Sequence, residues 1–96
     1  MTREEILDSL KQYKAEYGEK YGIEEIGIFG SLARGQFRED SDVDVVVETK
    51  IPDFFALVHI KEELEERFQR HVDIIRKRRV MNSDLKNRIE KEAVYV

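Results

Sequence analysis

The run Asp42-Val43-Asp44-Val45-Val46-Val47-Glu48 constrains this chain more than any other segment. β-Branched valine favours a pleated, half-buried strand. Side chains alternate across a strand, so Asp42 and Asp44 share one face while Val43, Val45 and Val47 share the other. A face of valines needs cover from elements elsewhere in the chain. Asp73 stands between Val72 and Ile74 in a second apolar segment, His71 to Ile75. Aspartate is a poor strand former, so its place there calls for a reason. If the two strands are neighbours, Asp73 lies about 5 Å from the Asp42/Asp44 row. Two unit charges at that distance cost roughly 3 kcal/mol at an effective dielectric of about 20. The remedies are a raised carboxyl pKa or a bound hard cation. Oxygen-only ligands favour Mg²⁺ or Mn²⁺ over zinc. From these residues alone a second reading stays open, in which Asp42 caps a loop and Asp44 is solvated on an edge strand.

With 21 acids in 96 positions, carboxylates two apart arise easily, at Asp40/Asp42, Asp42/Asp44, Glu63/Glu65 and Glu90/Glu92. The last two pairs fall in helical patterns, where such residues do not face each other. Asp40 lies in polar loop. Only Asp42/Asp44 sits within an apolar strand-like run.

Around that strand the chain reads as helix, strand, strand, helix, strand, helix. Thr2 with Glu5 forms a capping box ahead of Ile6, Leu7, Leu10, Tyr13 and Tyr17 at helical spacing, interrupted by Lys14. Gly18 or Gly22 ends this helix. Ile23 to Phe29 alternates as a strand, Gly30-Ser31 breaks it, and Leu32 to Arg34 forms a helical turn. Pro52-Asp53 opens a helix with the apolar face Phe54, Leu57, Ile60, Leu64 and Phe68. Ser83 caps a last helix carrying Leu85, Ile89 and Ala93. The strand–helix–strand unit from Asp42 to Ile75 implies a parallel pair with a right-handed crossover. The fold class is α+β: a small mixed sheet, its helices mainly on one face, in one domain over residues 1–96.

Composition narrows the function. Lys and Arg number 17 against 21 acids, a formal charge of −4, which argues against direct nucleic-acid binding. No cysteine is present, which removes thiol catalysis and thiolate zinc sites. The N-terminus has no signal-peptide pattern and no stretch approaches a membrane span, so a cytoplasmic protein without membrane contact is expected.

Gly30-Ser31 follows one strand and precedes the acidic strand by a loop of about ten residues. Glycine allows close backbone approach, serine donates a hydroxyl, and free amides at a turn attract phosphate. If the strands are neighbours, a phosphate chain held there reaches cations held by the acids, which suits two-metal nucleotidyl transfer. Phe29-Gly30-Ser31, then Asp42-Val43-Asp44-Val45, then Asp73 in an apolar strand, resembles the DNA polymerase beta-type nucleotidyltransferase superfamily. The stretch GSLARGQFREDSDVDVVVE is similar to its minimal members, the MNT proteins. The resemblance implies a nucleotidyltransferase fold in which Gly30 and Ser31 bind the triphosphate. It also implies two Mg²⁺ ions on Asp42, Asp44 and Asp73, with Arg34 of Ala33-Arg34-Gly35 assisting nucleotide binding. By the same resemblance the chain is an antitoxin that transfers AMP from ATP to a tyrosine of a HEPN toxin partner. Two alternatives stand beside this: neutralisation of the partner by binding alone, and transfer to an RNA end or a small hydroxylated molecule.

Four other features stand outside this motif. Arg76 to Arg79 is the one basic run; it follows the third strand, which suggests the acid end, although a solvated loop is the plainer reading. His59 and His71 read as structural or solvated. Tyr13, Tyr17 and Tyr21 form a stripe at helical spacing that suits packing and, where exposed, an interface. Phe54 and Phe55 read as core plus a contact surface.

Overall fold

Thr2 and Glu5 form a reciprocal capping box in the computed structural model, which describes residues 1–38, 40–78 and 80–96. The Thr2 hydroxyl oxygen accepts from the Glu5 N–H at 3.1 Å, and the Glu5 carboxylate accepts from the Thr2 N–H at 2.9 Å. Helix α1 (Arg3–Tyr21) closes on Gly22 in the left-handed conformation, φ 65°. The chain continues through β1 (Ile23–Phe29), α2 (Gly30–Ala33), β2 (Val43–Thr49), α3 (Phe54–Phe68), β3 (Val72–Arg76), α4 (Ser83–Glu92) and β4 (Val94–Tyr95). The strands form one mixed sheet in the order β3-β2-β1-β4. β1 is antiparallel to both β2 and β4, and β2 is parallel to β3, as the strand–helix–strand unit requires. No described helix is long and apolar enough to cross a membrane.

Val43, Val45 and Val47 bury against α1 and α3, joined by Ile26 and Ile28 of β1 and Val72 of β3. The structure adds cover on the opposite face. There Ile89 of α4 packs with Phe29 and Val46, so the helices are not confined to one side. The last helix is capped by Asn82 rather than Ser83, its side-chain oxygen accepting from the Leu85 N–H at 3.1 Å. The fourth strand, only two residues long, had no pattern by which to announce itself.

The tyrosine stripe forms a packing seam. Tyr13 is fully buried, and its hydroxyl donates to Glu63 at 2.6 Å. Tyr21 donates to the other oxygen of Glu63 at 2.8 Å, so one carboxylate ties α1 to α3. Burial first, then the neighbouring carboxylate, pushes both phenols upward, Tyr21 to about 12. Lys14, the polar interruption in α1, donates to the Val96 carbonyl at 3.1 Å and holds the chain end against the helix.

Gly27 marks where β4 crosses closest to β1. A Cβ there would overlap the Val94 carbonyl oxygen and stand 2.8 Å from the Tyr95 Cα. Gly27→Ala is therefore expected to cost about 1–3 kcal/mol in denaturant unfolding, the range for overpacking a tight site. Exchange should also quicken at the Val96 amide, which donates to the Ile26 carbonyl at 3.0 Å. Unchanged stability and exchange would contradict this placement of β4.

Candidate active site

The parallel register sets Asp44 directly beside Asp73. The antiparallel register sets Phe29, the residue before the Gly-Ser turn, beside the same Asp44. Asp42 lies two positions earlier, so strand periodicity gives it the Asp44 face. α4 covers Val46 further along this face and leaves the acids open: Asp42 and Asp73 are exposed and Asp44 is half-buried. The three acids singled out from the sequence therefore meet on one surface at the start of β2 and β3.

The Gly-Ser turn joins them through direct packing. Gly30 has φ 72°, a conformation glycine adopts without a Cβ penalty. A Cβ there would collide with a carboxylate oxygen of Asp44 and stand 3.3 Å from its Cγ. The turn is closed by the Arg34 N–H on the Gly30 carbonyl at 3.1 Å and the Gln36 N–H on the Ser31 carbonyl at 2.8 Å. Ser31 is half-buried in this turn. Arg34 lies close enough to favour the charged form of Asp44, and its guanidinium pairs with Glu92 of α4 at 3.2 Å.

Burial raises the Asp44 carboxyl above its usual range, and the charges of Asp73 and then Asp42 raise it further, against a partial offset from Arg34. Ionising Asp44 thus costs the folded state more than the unfolded one. Its contribution to stability is greatest below the ordinary carboxylate value and is lost as pH rises through the raised one.

Two residues that the sequence reading set aside as structural or solvated belong to this surface. His71 precedes β3, and its carbonyl accepts from the Val43 N–H at 2.9 Å, which places it beside Asp42. Its Nδ1 lies 2.8 Å from a Glu65 oxygen, and its Nε2 lies 3.8 Å from Asp73 Oδ1. The same Glu65 oxygen accepts from the Val72 N–H at 3.0 Å. This backbone bond, then the imidazole, lowers the Glu65 carboxyl. The available signal was parity: His71 is two positions from Asp73 and shares its face. Glu65 had no such signal, because only folding brings α3 to the start of β3. His59, by contrast, stacks on Tyr21 with ring centroids 6.5 Å apart and is remote from the acids.

The basic run does not lie at the acid end. In a parallel pair the acids stand at the start of β3 and the arginines at its close. Arg76 pairs in register with Val47 and reaches Thr49, and Lys77 faces Glu25. Arg76 and Arg78 line a shallow cleft with Phe54, which is 73% exposed. Arg79 lies outside the described residues. A cavity of about 510 Å³ between the end of α1 and the start of α3 is lined by none of the three acids. The acid surface is an open shelf.

A shelf of carboxylates abuts a glycine-hinged turn on a β1–β2 antiparallel pair extended by a parallel β3. The nucleotidyltransferase domain family matches residues 10–96. The protein adenylyltransferase MntA of Thermococcus cleftensis is 42% identical over 101 residues, covering 100% of this chain and 97% of its own length. A protein of Methanocaldococcus jannaschii is 36% identical over 98 residues, covering 99% and 98%. A solved structure named for a minimal nucleotidyltransferase superposes with TM-score 0.80 at 28% identity, over 98% of this chain and 95% of that one. A chain from a complex of tri-AMPylated Shewanella oneidensis HEPN toxin with MNT antitoxin shares the fold, with TM-score 0.72 at 15% identity over 98% and 71%. This chain belongs to the nucleotidyltransferase family, as the sequence resemblance implied, and is an enzyme of that class.

Two measurements check this geometry. Gly30→Ala is expected to lose at least about 1–2 kcal/mol from the left-handed backbone alone. Combined with Asp44→Ala the loss should fall short of the sum by roughly 0.5–3 kcal/mol, because the collision partner is gone. Strict additivity would separate the turn from Asp44. In chelator at pH 7, Asp44→Asn should melt higher than the parent chain, and the gap should close towards pH 4. A gap that is absent, or that widens on acidification, would contradict the raised Asp44 carboxyl.

Proposed function

We propose that this enzyme transfers AMP from ATP to a tyrosine hydroxyl of a HEPN-type toxin partner, and so acts as an antitoxin in the cytoplasm. The observation that carries the reading is the register that pairs Asp44 with Asp73 while packing Gly30 on Asp44. The relative named for protein adenylyltransferase supports a protein acceptor. The open shelf supports it too, since an acceptor protein would close over a nucleotide that this chain alone leaves exposed.

The donor set fits a hard divalent cation. Asp42, Asp44 and Asp73 offer carboxylate oxygens on one face, and burial, then the charges of Asp73 and Asp42, raises the Asp44 carboxyl. Asp42 and Asp44 would hold two Mg²⁺ ions, with Asp73 completing the site nearer the acceptor. Mg²⁺ bound there supplies neutralisation of charge on the α-phosphate and lowers the pKa of the attacking hydroxyl. Gly30 and Ser31 would hold the β- and γ-phosphates, and Arg34 would exchange part of its Glu92 contact for phosphate. The acceptor oxygen bonds to the α-phosphorus, the bond from that phosphorus to the bridging oxygen breaks, and pyrophosphate leaves. Asp73 orients the hydroxyl and takes its proton. The added phosphate brings negative charge to a partner that binds RNA through cationic groups, and its affinity falls.

Incubation with labelled ATP, Mg²⁺ and the protein encoded beside it tests the reading. Label should move to a partner tyrosine as one or more AMP units. Asp42→Asn with Asp44→Asn should lower the rate by about 10³-fold or more, the several kcal/mol that metal-assisted charge stabilisation supplies. Equal transfer by that double variant would overturn the metal assignment. Full neutralisation in cells without transfer would favour binding alone. Label on RNA or a small hydroxylated molecule would move the acceptor class.

A further inference from the structure

We propose that His71 is a nitrogen ligand of the cation site formed by Asp42 and Asp73, and that it lets a site able to hold Mg²⁺ bind Mn²⁺ more tightly. The inference rests on the preceding reading that these aspartates hold a divalent ion, and it adds a donor that the sequence reading set aside. Among the described residues, one ligand atom each of Asp42, His71 and Asp73 lies within 4.8 Å of the others. Two ligands about 2.1 Å from one ion stand at most about 4.2 Å apart, so small side-chain rotations bring all three onto a shared ion.

The orientation of the imidazole separates this site from a chance cluster. Glu65 accepts from the Val72 N–H at 3.0 Å and lies 3.8 Å from the Lys61 amino group, so its carboxylate is fixed and charged. At 2.8 Å from His71 Nδ1 a charged carboxylate can only accept, which assigns the N–H to Nδ1. In the neutral ring the remaining nitrogen, Nε2, then carries a lone pair. That lone pair faces Asp73 Oδ1 across 3.8 Å, too far for a hydrogen bond between them. Nε2 of that ring and Asp73 Oδ1 are then two donor atoms open to one cation. Carboxylate, then imidazole, then metal is the arrangement by which outer carboxylates orient histidine ligands. An imidazole nitrogen favours first-row transition ions, whereas Mg²⁺ prefers oxygen throughout.

The test uses the purified protein stripped with chelator and given one equivalent of Mn²⁺, read by electron paramagnetic resonance with ¹⁴N hyperfine detection. Bound Mn²⁺ should show histidine nitrogen coupling. The coupling should vanish in His71→Ala, which should fold because this side chain is 57% exposed. Glu65→Gln should weaken Mn²⁺ binding by about 10–100-fold, the usual effect of losing an outer carboxylate. Calorimetric titration should give a Mn²⁺ preference over Mg²⁺ that shrinks at least about tenfold in His71→Ala. Bound Mn²⁺ without nitrogen coupling, or coupling that survives in His71→Ala, would overturn the histidine ligand while leaving the carboxylate site standing. No bound Mn²⁺ in the parent chain would overturn the cation site itself.

Discussion

The pairing of β2 with β3 holds two like charges side by side, and the site depends on that constraint. Backbone hydrogen bonds and a buried apolar face fix the register, so Asp44 and Asp73 cannot move apart by sliding. A one-residue slip would send Val43, Val45 and Val47 to the open face and the acids into the core. The core beneath α1 and α3 thus supplies the force that keeps mutually repelling carboxylates together. Burial and, after it, this repulsion hold the Asp44 carboxyl above its usual range. The turn at Gly30 leans on the same side chain, so the proposed anchors for phosphate and for cation share one residue.

The sequence was most legible where the pattern was local. Valines and aspartates at period two gave β2 and its two faces, Thr2 with Glu5 gave the start of α1, and Asp73 between apolar neighbours gave β3. The parallel pairing followed from the intervening helix. What stayed hidden depended on direction or distance. The arginines after β3 follow the acids closely in sequence, yet parallel strands put them at the other end of the sheet. Glu65 belongs to a helix whose charged face reads as ordinary solvation, and only the return of the chain into β3 brings it to His71. β4 was too short to show a period, and the face that α4 covers offered only Phe29 and Val46 as a clue.

The tyrosines of α1 show how one residue type changes meaning on folding. A stripe at helical spacing fits either a contact surface or a buried seam. Glu63 decides between them, because it receives the hydroxyls of both Tyr13 and Tyr21. With that seam closed, the exposed aromatic surface is left to Phe54 and Phe55 at the start of α3, where arginines from the end of β3 stand nearby.

The outer margin of β3 carries a further consequence. A bare strand margin invites pairing with another copy, and a site that must remain open cannot be roofed to prevent it. Here the Glu65 carboxylate occupies the outward Val72 N–H, so a would-be neighbour loses its first point of attachment. Lys61 and Arg76 flank the same margin with charge, and the strand runs for only five residues. At the opposite margin β4 offers two. The molecule can leave its acid shelf uncovered and still resist stacking into fibres.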